Sequence, residues 1–406
     1  MIEPKLRFKA DDGSQFPDWE EKTLGDIGTA KMCKRVLKEQ TSEKGDVPFY
    51  KIGTFGGTPD AFISRELYEE LKAKYSFPRK GNILLSAAGT IGRTVVYDGQ
   101  DAFFQDSNIV WLDNDDSVLD GFLLQFYNKT SWDNLEGGTI KRLYNGLFLS
   151  KVIHVPSLPE QQKIAEFLST IDTVIEKQKE TVSAWEERKK GVMQKLFSQE
   201  VRFKADDGSD FPEWQEKKLS EIASIHARIG WQNLRKDEFL TDGNYLLITG
   251  TDFCNGRVKF STCYYVDRER YEQDKNIQVE NGTILVTKDG TLGKVALVEN
   301  LNMPATLNAG VFAIKVIHAD TISKFLYHWL AAPMLLEYAS KKSTGGTIKH
   351  LNQGILVDFP VGVPCLAEQQ KIADCLSSLD DVIEKQKATL AAWEEMKKGL
   401  LQQMFV

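Results

Sequence analysis

Two long stretches of the chain carry apolar residues at alternating spacings of four and three, the pattern of a coiled-coil seam. The members of the first seam are Ile164, Leu168, Ile171, Ile175, Val182, Trp185 and Leu196, and those of the second are Ile372, Leu376, Leu379, Ile383, Leu390, Trp393 and Leu400. Polar residues interrupt the seams at matching places, Gln178 and Lys189 in the first and Gln386 and Lys397 in the second. Such interruptions commonly fix the register of a helix pair at a cost in stability. The pattern predicts two long helices that pack on each other.

The start of the first helix is predicted from its capping residues. Ser157 followed three residues later by Glu160 matches a capping box, and Pro159 is tolerated in a first turn. A helix that begins at this point would have about 38 residues and be roughly 57 Å long at 1.5 Å per residue.

Two near-identical frames recur along the chain. Residues 7–19 return at 202–214 with eleven of thirteen positions identical, and residues 160–165 return unchanged at 368–373. The inserts that the frames enclose, roughly residues 20–157 and 215–365, differ in length and in most of their sequence. One scaffold that carries two different recognition domains explains this arrangement. The alternative, a duplication whose inserts simply drifted, predicts uniform divergence instead.

Chain order constrains how these parts are arranged. The first helix ends where the second insert begins, and the second helix begins where that insert ends, so the helices run antiparallel if they pair within the chain. We therefore predict an α+β fold in which two mixed α/β domains are joined by two long antiparallel helices as a pseudo-two-fold repeat. The predicted parts are a first domain (1–157), a first spacer helix (158–200), a second domain (201–365) and a second spacer helix (366–406). An object of two-fold character suits a partner such as duplex DNA.

Each insert contains a strand, a glycine turn and a second strand. The turns read Gly-Thr-Ile-Gly-Arg at 89–93 and Gly-Thr-Leu-Gly-Lys at 290–294. Such a hairpin tip offers backbone N–H groups, a hydroxyl and a cation to phosphates or base edges. It is not a P-loop, because a strand rather than a helix follows it. The candidate contact residues are Thr90, Arg93, Lys288, Thr291 and Lys294; the alternative is a hairpin that merely requires glycine.

Basic residues cluster early in each insert. They are Lys34 and Arg35 in the first insert, and Arg228, Arg235 and Lys236 in the second, where Trp231 lies among them. Cations interleaved with aromatic and amide side chains suit phosphate anchoring and direct readout of base edges. Each insert also contains a late Gly-Gly-Thr-Ile-Lys, which ends at Lys141 or Lys349. The alternative for the early clusters is an ordinary solvated loop.

The composition of the whole chain narrows the function classes. Its 406 residues carry a formal net charge of −7, which argues against a protein that binds polyanions over its entire surface. No apolar run is long enough to cross a membrane and the N-terminal segment lacks the features of a signal peptide, so a cytoplasmic protein is expected. The five scattered cysteines indicate buried thiols rather than disulfides or a zinc site.

Motifs of catalytic machinery are missing from the sequence. HExxH, GxSxG and a helix-opening GxGxxG do not occur. The five histidines lie apart, and none stands at metal-ligand spacing from a cysteine or another histidine. We therefore expect no catalytic residue and no metal in this chain.

Together these features resemble the specificity subunit of type I restriction-modification enzymes. The resemblance rests on the order of insert, helix, insert and helix, on the Glu-Gln-Gln-Lys-Ile-Ala helix starts, and on the strands Gly-Asn-Ile-Leu-Leu and Gly-Thr-Ile-Leu-Val before the glycine turns. It covers essentially the whole chain. It implies two target recognition domains that each read one half of a bipartite site in double-stranded DNA, with the helices holding them apart as a ruler.

The resemblance also implies partner subunits that supply the chemistry. Two modification (methyltransferase) subunits would dock on the outer faces of the helices and methylate adenine with S-adenosylmethionine. The candidate docking residues are Glu176, Lys177, Lys179, Glu384, Lys385 and Lys387; the alternative is that these charged faces are simply solvated. Restriction subunits would add translocation and cleavage of DNA that depend on ATP and Mg. This chain would itself be non-catalytic and hold no cofactor. Two alternatives remain at this point: a pseudo-symmetric scaffold that binds only proteins, and a complete methyltransferase that binds S-adenosylmethionine alone.

Overall fold

The computed structural model describes residues 3–132, 142–229, 234–342 and 350–406. The chain forms two compact units: the first joins Met1–Lys179 to Thr389–Val406, and the second is Glu180–Ala388. Each unit therefore contains one insert together with part of each long helix. The predicted division gave every helix a segment of its own. The units cut across it because a helix with one apolar stripe must bury that stripe against a neighbour.

Among its described residues, the first unit contains nine strands, five helices that begin in it and the last part of a sixth helix that begins in the second unit. The strands are β1 (Glu20–Thr23), β2 (Gly28–Lys31), β3 (Val47–Tyr50), β4 (Phe62–Ile63), β5 (Ile83–Ser86), β6 (Thr94–Val96), β7 (Phe103–Phe104), β8 (Ile109–Asn114) and β9 (Val152–Val155). The helices are α1 (Leu24–Ile27), α2 (Arg65–Lys74), α3 (Asp120–Lys129), α4 (Asn145–Leu149) and α5 (Leu158–Phe197), of which α5 continues into the second unit.

The second unit follows with the remaining elements. Its strands are β10 (Gln215–Lys218), β11 (Ala223–Ala227), β12 (Tyr245–Ile248), β13 (Phe253–Cys254), β14 (Arg257–Val258), β15 (Tyr264–Val266), β16 (Gln278–Val279), β17 (Ile284–Thr287), β18 (Val295–Leu297), β19 (Ala305–Leu307), β20 (Val311–Val316) and β21 (Pro360–Val363). Its helices are α6 (Leu219–Ile222), α7 (Arg268–Glu272), α8 (Ser323–Ala331), α9 (Met334–Lys342), α10 (Gln353–Val357) and α11 (Leu366–Met404), of which α11 ends in the first unit.

Both units share one strand plan despite their unlike sequences. The first unit has sheets of order β2-β8-β5-β6 and β4-β3-β7, and the second reproduces them as β11-β20-β17-β18 and β15-β12-β19. The pairs β3–β7 and β12–β19 are parallel, whereas β3–β4 and β12–β15 are antiparallel. The second unit extends its sheets with β14-β13 and with β16. The predicted α+β class with two repeated mixed domains is therefore confirmed.

Successive apolar side chains on the central strands point to opposite faces of the sheet and pack into two separate hydrophobic cores in each unit. In the first unit Leu85 and Val110 point to the core that contains α3 and the long helices, while Leu84 and Trp111 point to the core beneath β3 and β7. This alternation follows from the two-residue period of a strand. The second unit repeats the arrangement on β17 and β20.

The two predicted long helices are confirmed. Within each unit the start of one helix packs against the end of the other: Ile164 and Leu168 share a core with Leu401 and Met404 in the first unit. Seam residues that are buried are Ile164, Leu168, Ile171, Ile175, Val182, Leu196, Ile372, Leu376 and Ile383, and those that are half-buried are Trp185, Leu379, Leu390, Trp393 and Leu400.

The last turns of both helices depart from the heptad pattern. Leu401 is buried whereas Leu400 is only half-buried, and Met193 is buried in the matching place of the first helix. The buried stripe shifts because these turns pack on the globular part of their unit rather than on a helix alone. A two-position seam does not describe that wider contact.

The polar interruptions of the seams are paired with carboxylates on the facing helix. Lys189 Nζ donates to Asp380 at 2.5 Å in the second unit, and Lys397 makes the same contact with Asp172 in the first. Both lysines are about six-sevenths buried, at 15% side-chain exposure. An unpaired cation there would be costly, so each pair fixes which turns of the two helices can lie side by side.

A buried carboxylate at the start of α5 joins the N-terminal frame to the helix. Glu160 has a fully buried side chain. Arg7 donates to it from Nε at 3.0 Å and from Nη2 at 2.9 Å, and Trp19 Nε1 donates at 3.1 Å. Arg7 also donates to the carbonyl of Pro17 at 2.7 Å. The hydrogen bond with Glu160 raises the pKa of Arg7.

The second frame repeats these contacts. Arg202 donates to the buried Glu368 at 3.1 and 2.9 Å, and Trp214 Nε1 donates at 3.0 Å. The repeated sequence is thus explained by a repeated set of bonds. The predicted capping box is wrong, because the Glu160 carboxylate is used by Arg7 and Trp19. The buried Ser157 hydroxyl has no hydrogen-bond partner among the residues that the structure describes.

The cysteines only partly follow the expectation of buried thiols. Cys33 and Cys263 are buried, and loss of solvent raises the pKa of each thiol to about 12. Cys365 and Cys375 are half-buried, and Cys254 is exposed. Cys254 lies on β13, a strand that the second unit adds at the edge of its sheet, where one face meets solvent.

Across the described residues, we find no helix with the length and apolarity that a membrane crossing requires.

Candidate nucleic-acid interface

In each unit, one hydroxyl at the end of the preceding strand makes two hydrogen bonds to the glycine turn. In the first unit Ser86 Oγ donates to the carbonyl of Thr90 at 2.5 Å and accepts the N–H of Arg93 at 2.8 Å. In the second, Thr287 Oγ1 donates to the carbonyl of Thr291 at 2.5 Å and accepts the N–H of Lys294 at 2.9 Å. The backbone of the residue that carries the hydroxyl closes the hairpin in both cases.

Glycine is required in these turns for two reasons. Gly89 and Gly92 have φ of +66° and +89°, and Gly290 and Gly293 have +70° and +68°, a region that other residues rarely occupy. A side chain at Gly92 would also collide with Trp132, since a Cβ there would lie 2.2 Å from its ring. The backbone geometry therefore explains why the two glycines recur at this spacing. It does not explain why each turn also carries a threonine and a cation.

The turns present a hydroxyl and a cation to solvent. Thr90, Thr291 and Lys294 are exposed. Arg93 is exposed as well, and its Nη1 donates to the carbonyl of Phe55 at 2.8 Å, which ties the turn to the neighbouring loop. Hydroxyls, cations and backbone N–H groups of this kind are what DNA-binding proteins direct at phosphates and base edges.

In the first unit the early basic cluster lies on the same rim as the loop at 105–108. Arg35 Nε donates to Asp106 at 3.0 Å and remains largely exposed, and Lys34 lies over the ring of Tyr75 at 4.8 Å. The loop also accepts a bond from Arg142 Nη2 at the carbonyl of Ser107, 2.8 Å away.

That loop connects the cluster to the glycine turn. The carbonyl of Asn108 accepts the N–H of Ala87, and the carbonyl of Ala87 accepts the N–H of Leu143. The loop at 105–108 is thus hydrogen-bonded both to Arg35 and to Ala87, which lies two residues before the glycine turn. Sequence reasoning missed Arg142; its closeness to the predicted Lys141 was the available signal.

Arg228 does not lie with the exposed cations of the predicted cluster, so its expected placement is corrected, while its role in DNA contact stays a prediction. Its side chain is buried, with Nε donating to the carbonyl of Leu307 at 2.9 Å and Nη1 to Gln273 at 3.3 Å. Burial is the main reason that the pKa of Arg228 is lowered. In the shared strand plan this place is taken by the buried Cys33 of the first unit. The inward direction of the position, rather than the residue type, decides where the guanidinium goes.

The other basic candidates of the second unit are arranged around the turn and the early loop. Arg235 and Lys236 are exposed at the start of a short 3-10 turn, in which the N–H of Arg235 donates to Glu238 at 2.7 Å. Lys288 is half-buried, with its Nζ 5.7 Å from the centre of the Phe312 ring. Beside it, Asp289 lies 2.7 Å from His350 Nδ1, a pair that adds an acidic group to this rim.

Three predicted contacts lie outside the described residues: Lys141, Trp231 and Lys349. Within the described ranges, no three His, Cys, Asp or Glu side chains are grouped so that they could hold a metal ion.

Comparison with known protein families gives two matches within this one chain. The family described as "Type I restriction modification DNA specificity domain" matches residues 17–183 and again residues 212–392. Together these ranges make up well over half of the chain and correspond to the two inserts with the adjoining parts of the helices.

Individual relatives agree with this match. A putative type I restriction enzyme specificity subunit of Haemophilus influenzae is 56% identical over 152 residues, which is 37% of this chain and 40% of that protein. The alignment therefore spans less than half of that relative. The type I restriction enzyme MjaVIII specificity subunit of Methanocaldococcus jannaschii is 24% identical over 412 residues, covering 97% of this chain and 94% of that protein.

A solved structure has the same fold. The S subunit of a type I restriction-modification system from M. genitalium aligns with a TM-score of 0.58 at 17% identity, over 100% of this chain and 99% of that one. At this level of identity the likeness concerns the architecture of the chain.

Proposed function

The chain belongs to the type I restriction-modification DNA specificity family, and on that basis we propose that each of its two units reads one half of a bipartite site in double-stranded DNA. The observation that supports this most is the repeated glycine turn. Two inserts with little sequence in common keep the same pinned hairpin and the same exposed hydroxyl and cation. A turn that stays the same in both inserts is suited to anchor each unit to the DNA backbone. The residues around it, which differ between the inserts, are suited to contact different bases.

The helices, in this proposal, set the distance between the half-sites and hold the partner subunits. Half-sites read from one side of the duplex are centred about one helical turn, roughly 34 Å, apart or at multiples of that distance. The outer faces of α5 and α11 carry exposed charged residues, which are Glu176 and Lys177 on the first helix and Glu384 and Lys385 on the second. We assign these faces to docking of two modification subunits.

Catalysis belongs to those partners in this proposal. The modification subunits would hold S-adenosylmethionine, and restriction subunits would use ATP and Mg, while this chain supplies sequence recognition without a catalytic residue. The complex would act in the cytoplasm, where the DNA lies. The chain's net charge of −7 is compatible with this, because the partners can neutralise much of the phosphate charge.

Mapping of modified adenines tests the proposal. The complex of this chain with its modification subunits is expressed, and its methylated sites are sequenced. We expect one motif in two parts with an unspecified spacer, and binding to an oligonucleotide with that motif that weakens steeply with salt. A short continuous motif would contradict the two-domain account. Absence of salt-dependent DNA binding by the assembled complex would favour the protein-only scaffold.

A further inference from the structure

Ser86 and Thr287 occupy the same place in the two units, and each is a buried hydroxyl. They end β5 and β17, and their exposed fractions are only 1% and 2%. A buried polar side chain is costly unless its hydrogen bonds are made. Both hydroxyls make theirs with the glycine turn that follows.

The bonds of each hydroxyl span the turn from one side to the other. One bond goes to the carbonyl of the turn's threonine, and the other comes from the N–H of its cation. Only a group that both donates and accepts can make this pair of bonds, so Ala, Val or Cys cannot replace it with equal strength. The two units keep the chemistry while the residue changes from Ser to Thr.

The surroundings of the two turns differ, which makes the shared hydroxyl informative. Gly92 lies against the ring of Trp132, whereas Gly293 lies against Leu336. The cation of the first turn bonds to the carbonyl of Phe55. The packing around the turn therefore differs between the units, whereas the two hydrogen bonds of the buried hydroxyl, which we call the hydroxyl pin, are the same. Packing alone does not account for the hydroxyl pin.

We propose that Ser86 and Thr287 are positioning residues for DNA recognition, each holding the threonine and the cation of its turn toward one half-site. Neither side chain touches DNA, because both are buried. Their effect is to fix the turn before binding, so that association does not have to order it. This inference rests on the proposed function of the two units.

The test uses the assembled complex with its modification subunits and a duplex that contains the mapped bipartite site. Thr287→Val removes only the hydroxyl and keeps the shape of the side chain and its preference for a strand. Thr287→Ser and Ser86→Thr keep the hydroxyl. Ser64→Ala, which removes the N-cap hydroxyl of α2 in the same unit as Ser86, serves as the control for a lost hydrogen bond away from the turn.

We expect Ser86→Ala and Thr287→Val each to weaken binding about tenfold, the worth of roughly one well-made hydrogen bond. The loss should concern one half-site only. Substituting base pairs in the affected half-site should then cost the variant less than it costs the parent protein, while the other half-site is read as before. Ser86→Thr, Thr287→Ser and Ser64→Ala should retain both half-sites.

Two results would overturn the inference. The first is unchanged discrimination at both half-sites in Ser86→Ala and Thr287→Val. The second is an equal loss in Ser64→Ala, which would mean that any weakening of the unit has the same effect. A parent complex without a bipartite site would instead contradict the proposed function, so the two failures are distinguishable.

Discussion

At the scale of single residues, the fully buried carboxylates Glu160 and Glu368 hold each unit's frame onto its long helix. Each receives an arginine through two nitrogen atoms and a tryptophan N–H. Removing one partner of such a pair leaves a buried charge without compensation, which costs far more than breaking a pair at the surface.

Arg202→Met should therefore destabilise the second unit by about 3 kcal/mol. The matched control is Lys371→Met, which breaks the pair of Lys371 with Asp206, a carboxylate that is 96% exposed. That variant should cost clearly less than Arg202→Met, because water screens an exposed ion pair. Urea unfolding followed by tryptophan fluorescence measures both. An equal loss of unfolding free energy in the two variants would show that the buried pair with Glu368 stabilises the unit no more than the exposed pair does.

His328 is the residue whose burial predicts a dependence of stability on pH. Burial, with further contributions from Lys189 and Lys324, lowers its pKa to about 3. The unfolded chain binds a proton at this position near pH 6.5, whereas the folded chain does not. The folded-state pKa is depressed, so the stabilisation is complete above about pH 6.5 and is lost as the pH falls toward the folded value.

His328→Gln should remove this dependence, because Gln125 occupies the same place in the first unit and donates to Asp172 at 3.0 Å. The parent protein should lose up to about 1.4 kcal/mol per pH unit from this group below about pH 6. In the variant, the free energy of unfolding measured in urea should change less between about pH 7 and about pH 4 than in the parent protein. His318→Gln, at an exposed histidine of the same unit, is the control. An unchanged slope in His328→Gln would assign the acid sensitivity to other groups.

The residue scale is where sequence reasoning reached least far. Arg228 and Arg235 are both cations of one predicted cluster, yet one is buried and the other is exposed. Which of them faces solvent depends on a direction that only the sheet defines. The hydroxyl pins were missed for a related reason: Ser86 and Thr287 look like ordinary strand ends until the turn folds back over them.

At the scale of elements, the register of the long helices is set by polar pairs within an apolar seam. The helices themselves were predictable, since heptad spacing over many turns is a strong signal. Their pairing partners were not, because a sequence shows that Lys189 interrupts the seam but not that Asp380 faces it. The strand plan shared by the inserts was likewise hidden, as it depends on the order of strands and not on their composition.

Lys189→Ala alone should destabilise the second unit by about 2 kcal/mol, less than a wholly buried pair because Asp380 is 22% exposed. Desolvation already raises the pKa of Asp380, and the lysine opposes that shift. The double variant Lys189→Met with Asp380→Leu should recover most of the loss, since neither charge remains. Thermal unfolding measures both.

The control for this pair is Lys190→Ala, next to it on the exposed face, where Lys190 lies 3.9 Å from Glu187. Its cost should stay below about 0.5 kcal/mol. A double variant as unstable as Lys189→Ala would mean that the pair contributes packing rather than compensation of charge.

At the scale of the whole molecule, the chain is one plan written twice with a different insert each time. The repeat was visible in the sequence because the frames must make the same bonds to Glu160 and to Glu368. The inserts could differ because nothing in those bonds involves them. Independence of the inserts is therefore the central claim about how this chain works.

Exchange of one insert tests that claim most directly. Residues 20–157 are replaced by the corresponding insert of another member of the family, and the methylated sites of the assembled complex are sequenced before and after the exchange. The account predicts that one half of the bipartite motif changes while the other half stays as it was. A change in both halves, or in neither, would contradict it.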